Sequence, residues 1–143
     1  MNHIAIMKKS WKLIPEILSG RKTIETRWYK NKSAPWDKIH SGDTVFFKDS
    51  GSPVTAKAEV SAVEQYSDLD SDKINEIMAR VSLRDLGALE IPEQINEYIQ
   101  GKKYCIIIHL KNPQKVDPPF DFDKTGYGAM AAWICGIILT DGL

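Results

Sequence analysis

The chain has 143 residues, 43% of them hydrophobic and 27% charged, a composition that suits one globular domain able to close a core without disulfides or metal. No apolar run approaches the roughly 20 residues of a membrane helix, and the short apolar start lacks the basic n-region of a signal peptide, so a cytoplasmic, non-membrane protein is expected. Zero formal net charge argues against indiscriminate polyanion binding.

The charge is nevertheless uneven: residues 1–48 carry ten Lys/Arg against four Asp/Glu, and the remainder nine against fifteen. Ile4-Ala5-Ile6 reads as a first strand. Ser10 is a candidate cap for a short helix in which Ile14, Ile17 and Leu18 recur at helical spacing, with Pro15 near its first turn and Gly20 at the left-handed stop. The β-branched and aromatic residues 23–28 favour a strand. A loop holding Pro35 and Trp36 follows, then the turn Ser41-Gly42-Asp43 and a buried strand Thr44-Val45-Phe46-Phe47. After the loop signal Asp49-Ser50-Gly51-Ser52-Pro53, Val54, Ala56, Ala58, Val60 and Ala62 alternate with polar residues, a period of two that marks a half-buried strand.

The middle is expected to be helical, as an insertion of about residues 67–101 within one domain spanning 1–143. Asp70-Ser71-Asp72 supplies caps for a helix burying Ile74, Ile77, Met78 and Val81. A second helix is expected from Pro92 to Gly101. Tyr104-Cys105-Ile106-Ile107-Ile108-His109-Leu110 is a continuous apolar run fitting a central strand covered on both faces, with Pro113 expected to close it. Residues 133–139 form the last expected strand. Strands, a helical excursion and strands again predict an α+β domain on a small mixed sheet or barrel. Cys105 and Cys135 lie in apolar runs and read as reduced core thiols. His3, His40 and His109 have no metal-ligand spacing, so no metal or cofactor is expected.

Candidate chemistry concentrates in Gly20-Arg21-Lys22-Thr23-Ile24-Glu25-Thr26-Arg27. A strand from Thr23 puts Glu25 and Arg27 on one face and Ile24, Thr26 and Trp28 on the other. Lys22, at the turn before the strand, is expected to overhang a cleft. Lys22 and Arg27 can then donate to phosphate or base acceptors, while Glu25 orients Arg27 or accepts from an amino or imino group. The plain alternative is a surface salt bridge worth under about 1 kcal/mol. Trp11, Trp28, Tyr29 and Trp36 share this basic third and offer faces on which bases stack, although tryptophans mostly fill cores. Gly126-Tyr127-Gly128 is either a plain turn or a place where backbone approaches a ligand. Phosphate loops, dinucleotide fingerprints and the Gly-x-Ser-x-Gly elbow are missing.

The pattern Gly20-x-Lys22-x-x-Glu25-x-Arg27, preceded by Ile17-Leu18-Ser19, resembles the signature of the ASCH domain family, whose fold is similar to the PUA domain. Ile39-x-x-Gly42-Asp43-x-Val45-x-Phe47, Val63-Glu64-Gln65-Tyr66, Phe120-Asp121-Phe122-Asp123-Lys124-Thr125-Gly126-Tyr127-Gly128 and Ala132-Trp133-Ile134 extend the resemblance over nearly the whole chain. It implies a PUA-like small mixed β-barrel with flanking helices, in which Gly20, Gly42 and Asp43 shape turns. It further implies a charged cleft that binds single-stranded RNA, a nucleotide or a modified nucleoside, through Lys22, Glu25 and Arg27 with Trp28 or Tyr127 stacking. Some members of the family are N4-acetylcytidine amidohydrolases that use a lysine, a threonine and a distal glutamate. Lys22 matches that lysine, but Glu25 stands where the threonine belongs, which removes that nucleophile. If the chain is a hydrolase of a modified nucleoside or of RNA, Lys22 and Glu25 are its candidate catalytic residues.

Overall fold

A computed structural model of the chain describes residues 1–86, 91–128 and 131–139. Six strands, β1 (Asn2–Met7), β2 (Ile24–Tyr29), β3 (Thr44–Asp49), β4 (Val54–Tyr66), β5 (Tyr104–Phe120) and β6 (Trp133–Ile137), form one sheet in the order β2-β5-β4-β3-β1-β6. β1 and β3 are parallel and every other pairing is antiparallel. The sheet is mixed and curls into a half-barrel, flanked by α1 (Leu13–Leu18), α2 (Ser71–Leu86) and α3 (Glu93–Ile99), so the architecture is the expected α+β, PUA-like one.

Alternation along β5 explains why its apolar run is unbroken. Ile106, Ile108 and Leu110 face the inside of the curl, where they pack with Val45, Phe47, Val60, Trp133 and α1's Ile17. Cys105 and Ile107 face outward into a second layer with Ile24, Trp28 and α2's Ile74, Ile77, Met78 and Val81. A strand covered on both faces has no polar side to show. The long strands β4 and β5 bend through register shifts rather than stopping, as bulged pairs do.

Pro113 does not close β5, which continues to Phe120. Pairing jumps from Glu59↔Lys111 to Lys57↔Gln114 and from Ala56↔Lys115 to Val54↔Phe120, so Pro113, Pro118 and Pro119 all fall in irregular stretches. A residue without an N–H is tolerated there. Ser10 does not cap α1 either: it lies in a 3-10 turn, Lys9–Trp11, and the helix starts after Lys12, whose φ is 53°. Asp70 caps α2, its Oδ1 accepting from Lys73 N at 2.8 Å.

The signature loop is pinned from three sides. Lys22 N donates to Glu16 O at 2.9 Å, Thr23 N to Arg84 O at 2.7 Å, and Leu110 N to Thr23 O at 2.8 Å. Gly20, at φ 82°, and Gly42, at φ 94°, take left-handed conformations that glycine adopts freely. Among the described residues no helix is long and apolar enough to cross a membrane.

Candidate functional site

Among the described residues β2 is an edge strand whose one neighbouring strand is β5, and edge strands must dispose of unpaired N–H and C=O groups. Two buried charges do this over the first half of β2. Lys22 Nζ donates to Ile24 O at 2.8 Å, and Asp85 Oδ1 accepts from Thr26 N at 3.2 Å. Lys22 and Asp85 in turn pair with each other at 2.7 Å. Together they present the donor and acceptor that a neighbouring strand would have supplied.

Lys22 therefore does not overhang a cleft. It is 1% exposed, and it also donates to Asp85 O and pairs with Glu25 Oε1 at 3.3 Å. Burial works against its charge, but Asp85 and then Glu25 outweigh it and hold the ammonium above its usual range. Burial in turn pushes the Asp85 carboxyl up, against the pull of Lys22. The physical reason for the misplaced expectation is the partner, an acid 63 residues away on α2 that spacing within the signature cannot reveal. One signal was available. Asp85 continues the i, i+4 stripe of Ile77, Met78 and Val81, and an acid on a buried stripe needs a cation.

Beyond Thr26 the edge of β2 opens onto a cavity of about 460 Å³, within the usual range for small-ligand sites. Because an edge strand can be approached from both faces, Glu25 and Arg27 line it together with Thr26 and Trp28. Its other walls come from Ile6, Met7 and Lys8 at the end of β1, Trp11, Gln94 and Tyr98 of α3, and Lys124 and Ala132 before β6.

Arg27 is the most organised cation there. Its guanidinium lies 5.0 Å from the centre of the Trp133 ring, within the range of a cation–π contact. It donates to Ala132 O at 3.1 Å, Ile6 O at 3.4 Å and Glu25 Oε2 at 3.3 Å. Glu25 is thus gripped by Lys22 on one oxygen and Arg27 on the other, so a carboxylate and a guanidinium stand side by side at the cavity wall.

Thr26 carries a hydroxyl directly beside the buried pair. Its Oγ1 donates to Asp85 Oδ2 at 2.8 Å and accepts from Trp28 Nε1 at 2.9 Å. Trp28 touches the cavity but is 3% exposed and packs in the layer beneath α2, so it offers no open face for stacking. The accessible aromatics are Trp11 and Tyr98, edge to face at 6.1 Å, with Tyr98 49% exposed. Tyr127 does not line this cavity; it is 51% exposed and tilts against Phe122 at 5.8 Å. Asp43 sits in the turn before β3 and binds His3 at 2.8 Å, while Gly42 N donates to Val60 O at 2.8 Å. Among the described residues no three His, Cys, Asp or Glu side chains come together in a way that would hold a metal ion.

No protein-family model matches the chain, and no curated protein is significantly similar to it in sequence. Solved structures are similar to it. An ASCH protein from Zymomonas mobilis superposes with a TM-score of 0.65 at 15% identity, over 95% of this chain and 87% of that one. A tyrosine-to-phenylalanine variant of that protein matches with a TM-score of 0.65 at 16% identity, over 95% and 90%, and a serine-to-alanine variant with 0.65 at 17%, over 95% and 88%. With the curled sheet, its helices and the cleft at the β2 edge in place, the chain has the fold of an ASCH domain.

Proposed function

We propose that the chain binds single-stranded RNA or a nucleotide, with one base in the cavity beside β2. The observation that carries this reading is the paired Glu25 and Arg27 on the wall of a cavity of about 460 Å³ that also has Trp11 and Tyr98 around it. Arg27 offers a donor for carbonyl or phosphate oxygens, Glu25, 4% exposed and held by Lys22 and Arg27, orients the guanidinium, and the aromatic groups offer stacking surface. Nε of Arg27 and one hydrogen of Nη1 have no partner among the described residues and are the donors assigned to the ligand. Lys22 acts indirectly, by holding Glu25 and the strand edge. Lys8 and Lys124 at the cavity wall favour an anionic ligand. The chain's zero net charge keeps its affinity for generic RNA low.

Titration of fluorescein-labelled single-stranded RNA, followed by anisotropy at low and moderate salt, tests the proposal. Saturable binding that weakens with salt is expected, since phosphate contacts release counterions. No binding by RNA or by free nucleotides at low salt would overturn it.

A second reading, hydrolysis of an N4-acylated cytidine, is favoured by one observation: the Thr26 hydroxyl borders the cavity with its proton directed at a buried carboxylate. It requires that N4-acetylcytidine and water give cytidine and acetate, and that Thr26→Val abolish this. Without such turnover the binding reading stands alone.

A further inference from the structure

His3 is fully buried, with 0% exposure, near the start of β1. A histidine there costs desolvation that a leucine would not, so its two ring nitrogens need accounting for. Nε2 lies 2.8 Å from Asp43 Oδ2, and Nδ1 lies 3.1 Å from Trp133 Nε1. An indole nitrogen only donates, which settles the tautomer: Nδ1 accepts from Trp133 and Nε2 carries the hydrogen given to Asp43. Trp133 is itself buried, and its ring is the surface on which the Arg27 guanidinium lies at 5.0 Å. A continuous series of contacts thus runs from the Asp43 turn through His3 and Trp133 to the cation of the cleft.

We infer that His3 is a positioning residue which, by fixing the Trp133 ring, holds Arg27 in place for the ligand. It touches no part of the cavity itself. The arrangement works only while Nδ1 has no proton, because a protonated Nδ1 would face the Trp133 N–H donor to donor. The charged and titratable groups facing His3 are Asp43, the Met1 ammonium and His40; burial outweighs the Asp43 attraction and keeps the imidazole below its ordinary range near 6.5. The contact is therefore intact at neutral pH and is lost as pH falls through that lowered value.

The experiment is a pair of ¹⁵N–¹H spectra and binding titrations on wild-type protein, His3→Leu and His3→Gln. The Trp133 indole signal is assigned by its loss in Trp133→Phe, and the Arg27 Nε–H signal by its loss in Arg27→Lys. In His3→Leu the Trp133 signal and the Arg27 Nε–H signal should both shift, as the ring under the guanidinium moves, and affinity for labelled single-stranded RNA and for cytidine monophosphate should fall roughly fivefold, the scale of a weakened cation–π contact. His3→Gln, whose amide oxygen can accept from the indole, should recover most of both. An unchanged Arg27 signal and unchanged affinity in a folded His3→Leu would overturn the inference. Should His3→Leu fail to fold, acid titration of the wild type decides: the Trp133 and Arg27 signals must move with one midpoint, and movement of Trp133 alone would overturn it. The affinity arm rests on the cleft reading; a wild type that binds neither probe refutes that reading, while the spectra still decide the role of His3.

Discussion

The two halves of β2 solve the problem of an unpaired strand edge in opposite ways. From Ile24 to Thr26 the edge is sealed by Lys22 and Asp85, which replace a neighbouring strand with a buried ion pair. From there to Trp28 it is left open, and the cavity occupies the space. Residues of the same signature therefore do different work: Lys22 is structural and reaches the cavity only through Glu25, whereas Arg27 stands on the cavity wall. A charged motif read along the chain looks like one site, and the fold divides it into a frame and a cavity wall.

The strongest way to break this division is Lys22→Ala. It leaves Asp85 buried without its cation, so unfolding by urea should show a loss of about 3–5 kcal/mol, far from the near-neutral stability expected of an overhanging lysine. The double variant Lys22→Met, Asp85→Leu should recover a large part of that loss, because replacing a buried pair by apolar groups removes both charges together. A Lys22→Ala protein as stable as the wild type would mean that the pair does not seal the edge. Arg27→Ala should do the reverse: stability changes by about 1 kcal/mol, while ligand affinity falls about tenfold through the lost charged hydrogen bonds.

The smallest effect belongs to the clip that holds α2 to the outer face of the sheet. There Glu64 accepts from Tyr66 at 2.7 Å and Arg80 at 3.1 Å and meets His109 at 2.6 Å. Burial opposes its charge, but these partners prevail and bring the carboxyl down to about 2 from 4.5. A lowered carboxylate stabilises the fold fully above the ordinary value and loses that contribution as pH falls toward the lowered one. Glu64→Gln should accordingly flatten the acid limb of the stability curve between pH 4.5 and about 2, with little effect on ligand binding. An unchanged acid limb would show that the clip contributes nothing.

Much of the fold was legible because its signals are local. The alternation from Val54, the unbroken apolar run at Ile106-Ile107-Ile108 and the Asp70 cap each carry their own explanation. The prolines of β5 misled, since a bulge depends on pairing with β4 and not on the residue itself. At the site, the alternation of β2 correctly separated Glu25 and Arg27 from Thr26 and Trp28. What sequence spacing could not supply were partners brought in from afar: Asp85 for Lys22, Trp133 for Arg27, and Tyr98 beside Trp11. The stacking role expected of Trp28 has no open ring face to serve it, because the same alternation that freed Arg27 turned Trp28 toward α2.

The most direct test of the division is one titration run in parallel: labelled single-stranded RNA, with cytidine monophosphate as competitor, against wild-type, Arg27→Ala and Tyr127→Ala proteins of verified fold. The account predicts that Arg27→Ala binds about tenfold more weakly, while Tyr127→Ala, lying outside the cavity, stays within about twofold of the wild type. Equal affinity in wild type and Arg27→Ala would contradict it and place any binding surface elsewhere on the molecule.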